Sequence, residues 1–135
     1  MRLGTILKIR DEPILKAIYE AVTAVHAQAY LVGGVVRNLA LSRPLGFDYD
    51  IALSGKVKEI ANLLAERLNG SPFALDKETG AYRVVVKSWE FGVGSSESKA
   101  QIHIDLLPLK GKDISEDLRK RDFTVNALAL DIHAL

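Results

Sequence analysis

At 135 residues, 48% hydrophobic and 26% charged, the chain is sized and composed for one globular domain with a single core. Its 18 Lys plus Arg against 17 Asp plus Glu leave a formal charge of +1, so bulk charge selects neither nucleic acid nor a membrane surface as partner. Cysteine is absent, which excludes a disulfide framework and a thiolate metal site; the N-terminal apolar run is short and broken by Lys8 and Arg10, no stretch approaches membrane-span length, and the expected setting is cytoplasmic.

In chain order, Pro13 opens "PILKAIYEAVTAVHAQ", where Ile14, Ala17, Ile18, Ala21, Val22 and Val25 recur at the spacing of one apolar helix face. Asp11 and Glu12 ahead of Pro13 suit a helix start through capping and the dipole. "AYLVGG" reads as a short buried strand ending in glycines, and "VVRNLALS" as a short helix stopped by Pro44. "FDYDIAL" is strand-like, rich in aromatic and branched residues. Ser54 is expected to cap "KVKEIANLLAERL", whose Val57, Ile60, Ala61, Leu64 and Leu68 share a face, and Asn69-Gly70 to close it in the left-handed conformation.

Further on, "AYRVVVKSWEFGV" alternates as a strand or a hairpin pair, and "GSSESK", Gly94 to Lys99, is a polar loop. "AQIHIDLLPL" alternates strictly: Ile102, Ile104 and Leu106 point one way, Gln101, His103 and Asp105 the other. "ISEDLRKRD" reads as a short charged helix or turn, and "FTVNALALDI" as an apolar closing segment, partly strand. The order predicts a mixed sheet with helices packed on one side, α/β or α+β.

Three groups of residues carry chemistry. Gly33-Gly34 stands between a strand and a helix start, where backbone N–H groups approach a phosphate closely. The pair fits neither G-x-G-x-x-G nor G-x-x-x-x-G-K-[ST], and alone it serves a plain tight turn as readily. Arg37 falls on the first turn of the next helix, where it forks onto a phosphate at that terminus or lies in solvent.

The second group is Asp48 and Asp50. Residues two apart in a strand share a face, and two adjacent carboxylates repel unless a cation lies between them. One or two carboxylates completed by substrate phosphates suit Mg²⁺, although an isolated Asp-x-Asp is more often a polar strand end or turn. Asp105, near an apolar core, either completes that cluster or pairs with Lys110 or Arg83, since an unpaired carboxylate there is costly. His103, on the same face, reads as an exposed or hydrogen-bonded histidine. The third group is "DLRKRDFTVNALALD", a charge run of the kind that is mostly a solvated helix face, with Asn126 read as structural inside the apolar part.

Together these residues resemble the catalytic head domain of the class II tRNA nucleotidyltransferase and bacterial poly(A) polymerase family. "LVGGVVRNLALSRPLGFDYDIA" is similar to the family's glycine-pair, arginine and Asp-x-Asp block, and "EDLRKRDFTVNALALD" to its second signature. "LDKETGAYRVVV" and "IHIDLLPLKG" fall where the family has sheet strands, so the resemblance covers nearly the whole chain. It implies a nucleotidyltransferase fold, a mixed, mostly antiparallel sheet with helices on one side. Residues 1–135 would form a single head domain, without the family's helical neck, body and tail domains.

The resemblance further implies Asp48 and Asp50 as ligands of catalytic Mg²⁺ and Asp105 as a third catalytic acid. It puts Gly33, Gly34 and Arg37 at the triphosphate, makes Arg121 a nucleotide contact and has Asp122 support the ribose or Arg121. Asn38 stands where the family has Asp, Ala40 and Ser42 where Leu and Gly are typical, and Lys110 where Arg is frequent. Asn38 keeps hydrogen-bonding capacity and loses a charge that would orient Arg37.

The activity implied is transfer of AMP or CMP from ATP or CTP to the 3′-hydroxyl of an RNA, a tRNA in particular, with release of pyrophosphate. RNA contact is expected at Lys110, Lys112, Arg119, Lys120 and Arg121, a cluster that solvated charge explains equally well. Two other readings stay open: a non-catalytic nucleotide-binding or interaction module retaining the fold, and a split-enzyme subunit needing a separate helical partner or C-terminal domains. A plain dinucleotide-binding domain needs a third glycine and a ribose-binding acid, and neither is in place.

Overall fold

The computed structural model describes residues 13–33, 48–87, 101–109 and 129–132. Among them are two helices, α1 (Pro13–Ala24) and α2 (Val57–Leu68). The strands are β1 (Ala29–Val32), β2 (Asp48–Leu53), β3 (Ser71–Asp76), β4 (Ala81–Lys87), β5 (Gln101–Pro108) and β6 (Ala129–Asp131). They form one sheet in the order β3-β4-β5-β2-β1-β6. β2 and β5 run parallel at its centre, and every other neighbouring pair is antiparallel. The mixed, mostly antiparallel sheet expected from the sequence is the one found.

Ile14, Ile18, Ala21 and Val22 of α1 share a buried core with Ile60, Ala61, Leu64 and Leu68 of α2. The sheet contributes Leu31, Tyr49, Ile51, Leu53, Val84, Val86, Ile102, Ile104 and Leu106 to the same core. Within each strand these are alternate residues and so belong to one face. Both helices therefore cover the same side of the sheet. Each fully buried Ile or Leu contributes about 1.5–3 kcal/mol through removal of apolar surface from water.

Local chemistry sets the element ends, in places differently from the sequence pattern. α1 stops at Ala24 rather than running to Gln28. His26 takes a left-handed φ of 57°, its N–H donates to Thr23 O at 3.1 Å, and Ala27 N–H donates to Val22 O at 3.0 Å. That is the paired-bond stop usually built on glycine. Ser54 does not cap α2. Its Oγ accepts from Gln28 N–H at 3.0 Å and its own N–H donates to Gln28 O at 3.0 Å, tying the end of β2 to the segment before β1. α2 instead begins after a left-handed Lys56, whose Nζ reaches back to Val25 O at 2.9 Å. At its other end Asn69, not Gly70, is the left-handed residue (φ 52°). Gly70 is required for closeness, since a Cβ there would lie 2.8 Å from Val85 O.

Alternation alone misses β3. All six of its residues are exposed, and Pro72 is admissible because β3 lies at the sheet edge. The available signal was the turn that follows it. Asp76 Oδ1 accepts from Glu78 N–H at 2.9 Å, and Gly80, with φ +79°, donates to Asp76 O at 3.0 Å. β4 thus makes its hairpin with the strand before it. The helix expected over 35–42, the loop over 94–99 and the charged segment over 114–122 lie outside the described residues.

Candidate active site

The sheet face turned away from the helices carries the acidic residues, and strand register lines them up. Asp48 is the partner of His103, Asp50 of Asp105, and Asp105 in turn of Arg83 on β4. One row of Cα partners crosses the sheet from Phe73 through Arg83, Asp105 and Asp50 to Val32. Row neighbours share a face, with strands about 4.7–4.9 Å apart. Asp48 and Asp50 therefore lie beside Asp105, and a cation stands one strand beyond.

That cation is fixed to Asp105. Arg83 donates from Nε to Oδ1 at 2.7 Å and from Nη2 to Oδ2 at 3.0 Å, a bidentate fork onto both carboxylate oxygens. The side chains of Arg83 and Asp105 are 29% and 16% exposed. Those hydrogen bonds, and then the fields of Asp105, Asp48 and Asp50, raise the guanidinium pKa above its already high value against the opposing effect of burial. Arg83 is thus a permanent positive charge within reach of all three carboxylates. Asp48, at the start of β2, is 84% exposed, with His103 Nδ1 3.7 Å from its Oδ1. This is beyond hydrogen-bond length and within ion-pair range when the imidazole is protonated.

Gly33 follows the end of β1, beside the point where β2 enters the sheet. Its φ is +73°, and a Cβ there would lie 2.8 Å from Asp50 Oδ2. Glycine is required twice, for the left-handed backbone and for the approach of the carboxylate. Whatever the turn does for a phosphate, its first glycine also makes room for Asp50, a contact that no sequence pattern announces.

The fold brings together Asp48, Asp50, Asp105 and Gly33 from the sequence-predicted set. Gly34, Arg37, Arg121 and Asp122 lie outside the described residues, as do Asn38, Lys110, Lys112, Arg119 and Lys120. Of the two partners open to Asp105, Arg83 is the one observed. Among the described residues no three His, Cys, Asp or Glu side chains are grouped to hold a metal ion. Asp48 and Asp50 offer a pair of hard oxygen ligands, the kind that Mg²⁺ accepts when substrate phosphates complete its shell. Arg83, expected from the sequence only as one possible partner of Asp105, is the residue of this face to which no site role was assigned. Its signal was available: Tyr82, Val84 and Val86 face the core, which puts Arg83 on the acidic side. No helix among the described residues is long and apolar enough to cross a membrane.

Residues 29–134 match the poly(A) polymerase head domain. The chain belongs to that family. Within the poly(A) polymerase head-domain family it is similar to the CC-adding tRNA nucleotidyltransferase of Geobacter sulfurreducens, 42% identical over 102 residues, which are 76% of this chain and 21% of that protein. It is 35% identical over 123 residues to the CCA-adding enzyme of Streptococcus uberis, covering 88% of this chain and 28% of the relative. Among solved structures, a CCA-adding enzyme in complex with CTP superposes with a TM-score of 0.72 at 25% identity, over 96% of this chain and 30% of that one. The chain is thus homologous to CCA-adding tRNA nucleotidyltransferases and has the nucleotidyltransferase head fold. It spans about a fifth to three-tenths of the length of these relatives.

Proposed function

We propose that the chain is the head of a metal-dependent nucleotidyltransferase. It would transfer AMP or CMP from ATP or CTP to the 3′-hydroxyl of an RNA, a tRNA end, and release pyrophosphate in a cytoplasmic setting. The supporting observation is the pair Asp48 and Asp50 on one sheet face, with Gly33 leaving the space that Asp50 Oδ2 needs. A relative that holds CTP supports the nucleotide.

Asp48 and Asp50 would hold Mg²⁺, whose charge, when it is bound, stabilises the attacking and leaving oxygens of an in-line displacement. The remaining work falls to the chain. Backbone amides at Gly33 and Gly34 would meet the triphosphate, and Arg37 would fork onto the same group. Arg121 contacts the nucleotide, and Asp122 supports the ribose or Arg121. The 3′-oxygen forms a bond to the α-phosphorus, the bond from that phosphorus to the bridging oxygen breaks, and pyrophosphate leaves with the electron pair. The hydroxyl proton passes to solvent, and no side-chain nucleophile takes part.

Calorimetric titration of the 135-residue chain with ATP and CTP tests this reading. Asp48→Ala combined with Asp50→Ala should abolish Mg²⁺-dependent binding; unchanged affinity in the folded double variant would overturn it. Asn38 in place of the family's Asp favours a second reading, a nucleotide-binding module without catalysis. Labelled nucleotide offered with a tRNA lacking its 3′ end separates the two. Incorporation supports transfer, and failure even with a helical portion supplied in trans supports the module.

A further inference from the structure

We propose that the RNA end crosses the open sheet face over β5, β4 and β3, with Phe73 stacking on a base and Lys87 meeting a phosphate. The inference rests on the nucleotidyltransferase reading and deepens it by placing the RNA. Phe73 is 45% exposed on the edge strand β3. Its register partner is Arg83, so it belongs to the face turned away from the helices, in the row that leads through Asp105 to Asp50. Lys87, the last residue of β4, pairs with Gln101; both are exposed and follow the alternation set by the buried Val86 and Ile102. Lys87 therefore stands on the same face. An aromatic ring and a cation on an open sheet are what single-stranded nucleic acid needs, since every base has a π-face and every phosphate a charge.

The direction follows from the reaction. In-line displacement puts the attacking oxygen and the leaving pyrophosphate on opposite sides of the α-phosphorus. β1, which leads into the Gly33 turn, and β5 flank β2 on opposite sides. With the triphosphate at that turn, the RNA end arrives from the β5 side and the strand behind it passes over β4. Strands about 4.7–4.9 Å apart put Phe73 about 14 Å from Asp50 along their row, within reach of a short single strand. Charge changes sign along the way, from Asp48 and Asp50 on β2 to Arg83 and Lys87 on β4. Arg83 is engaged by Asp105, and the exposed Lys87 is the cation that meets a phosphate. Neither Phe73 nor Lys87 belongs to the basic cluster over 110–121.

Fluorescence anisotropy of a labelled, short single-stranded RNA titrated with the 135-residue chain reads the proposal without reference to catalysis. Phe73→Ala should weaken binding by about fivefold to a hundredfold, the range for loss of one stacked base. Phe73→Leu should weaken it too, and Phe73→Trp should preserve it, because stacking needs a ring and not apolar area alone. Lys87→Gln should reduce the slope of log affinity against log salt by about 0.7, one phosphate contact on a single strand. Lys58→Gln, exposed on α2 across the sheet, should leave that slope unchanged. Saturating Mg²⁺-ATP should not displace the RNA.

Affinity and salt slope that ignore both Phe73→Ala and Lys87→Gln overturn the proposal, as does the absence of RNA binding at low salt. Displacement of the RNA by Mg²⁺-ATP overturns the direction assigned to it. A Phe73→Ala chain that sediments differently but binds RNA as before would make the edge a contact between copies, and the proposal fails. Phe73→Leu and Lys87→Gln carry the test if Phe73→Ala does not fold. Unchanged ATP affinity in Asp48→Ala with Asp50→Ala defeats the underlying site reading instead, whatever the Phe73 and Lys87 variants do.

Discussion

The two faces of the central strands are made from the same backbone and obey different rules. Towards the helices, β2 and β5 present Tyr49, Ile51, Leu53, Ile102, Ile104 and Leu106, each exposed by 1% or less. Away from them, the intervening positions carry Asp48, Asp50, His103 and Asp105. One face removes apolar area from water; the other gathers charge that no core could hold unpaired. A period of two lets a single strand do both, and each acid adjoins at least one fully buried residue, Tyr49, Ile51, Ile104 or Leu106. The acids are thus held by strands whose other face is buried in the core.

Adjacent residues offer the strongest way to break that comparison. Ile51→Ala, on the core face, should cost about 2–5 kcal/mol, a buried large-to-small truncation. Asp50→Asn, one residue away, should barely move the urea midpoint yet remove Mg²⁺-dependent nucleotide binding. If Asp50→Asn destabilises as much as Ile51→Ala, the acidic face is part of the structural core and the division is wrong.

A smaller effect sharpens the comparison at the turn. Gly33→Ala forces a side chain into a left-handed conformation and puts Cβ 2.8 Å from Asp50 Oδ2. Backbone strain of this kind costs about 1–3 kcal/mol. Gly70→Ala meets Val85 O at the same 2.8 Å, on the structural side of the fold. Both variants should lose thermal stability, but only Gly33→Ala should lose nucleotide affinity in calorimetric titration. Equal retention of affinity would show that Asp50 does not depend on the missing Cβ.

What could be read beforehand follows the same division. The core face was legible because burial imposes period: three-and-four spacing gives both helices, and strict alternation gives β5. Asp48 and Asp50 were legible as a pair because two-residue spacing in a strand dictates a shared face. The partner of Asp105 was not decided by local pattern, because Arg83 lies 22 positions away and meets it only through the β4–β5 register. β3 was hidden for the opposite reason: an exposed edge has no buried face to impose alternation. Ser54 reads as a helix cap in sequence, but its hydroxyl meets Gln28, 26 residues earlier, once the sheet has formed. His26 and Asn69 show that left-handed helix stops do not require the glycine that a sequence pattern looks for.

The smallest predicted effect comes from comparing two arginine–carboxylate contacts of similar length. Arg67 Nη1 meets Glu20 Oε2 at 2.6 Å between α2 and α1, and Arg83 Nε meets Asp105 Oδ1 at 2.7 Å. Distance does not separate them; setting does. Arg67 and Glu20 are 38% and 42% exposed, their hydrogen bond is single, and water and salt screen it. A double-mutant cycle with Arg67→Ala and Glu20→Ala should give a coupling of about 0.2–1 kcal/mol, fading as salt is raised. The cycle at Arg83 and Asp105 should give a larger coupling that salt reduces less, because that pair is forked and better shielded. Equal couplings with equal salt dependence would mean that the fork on the acidic face is an ordinary surface ion pair, too weak to hold Asp105 in place.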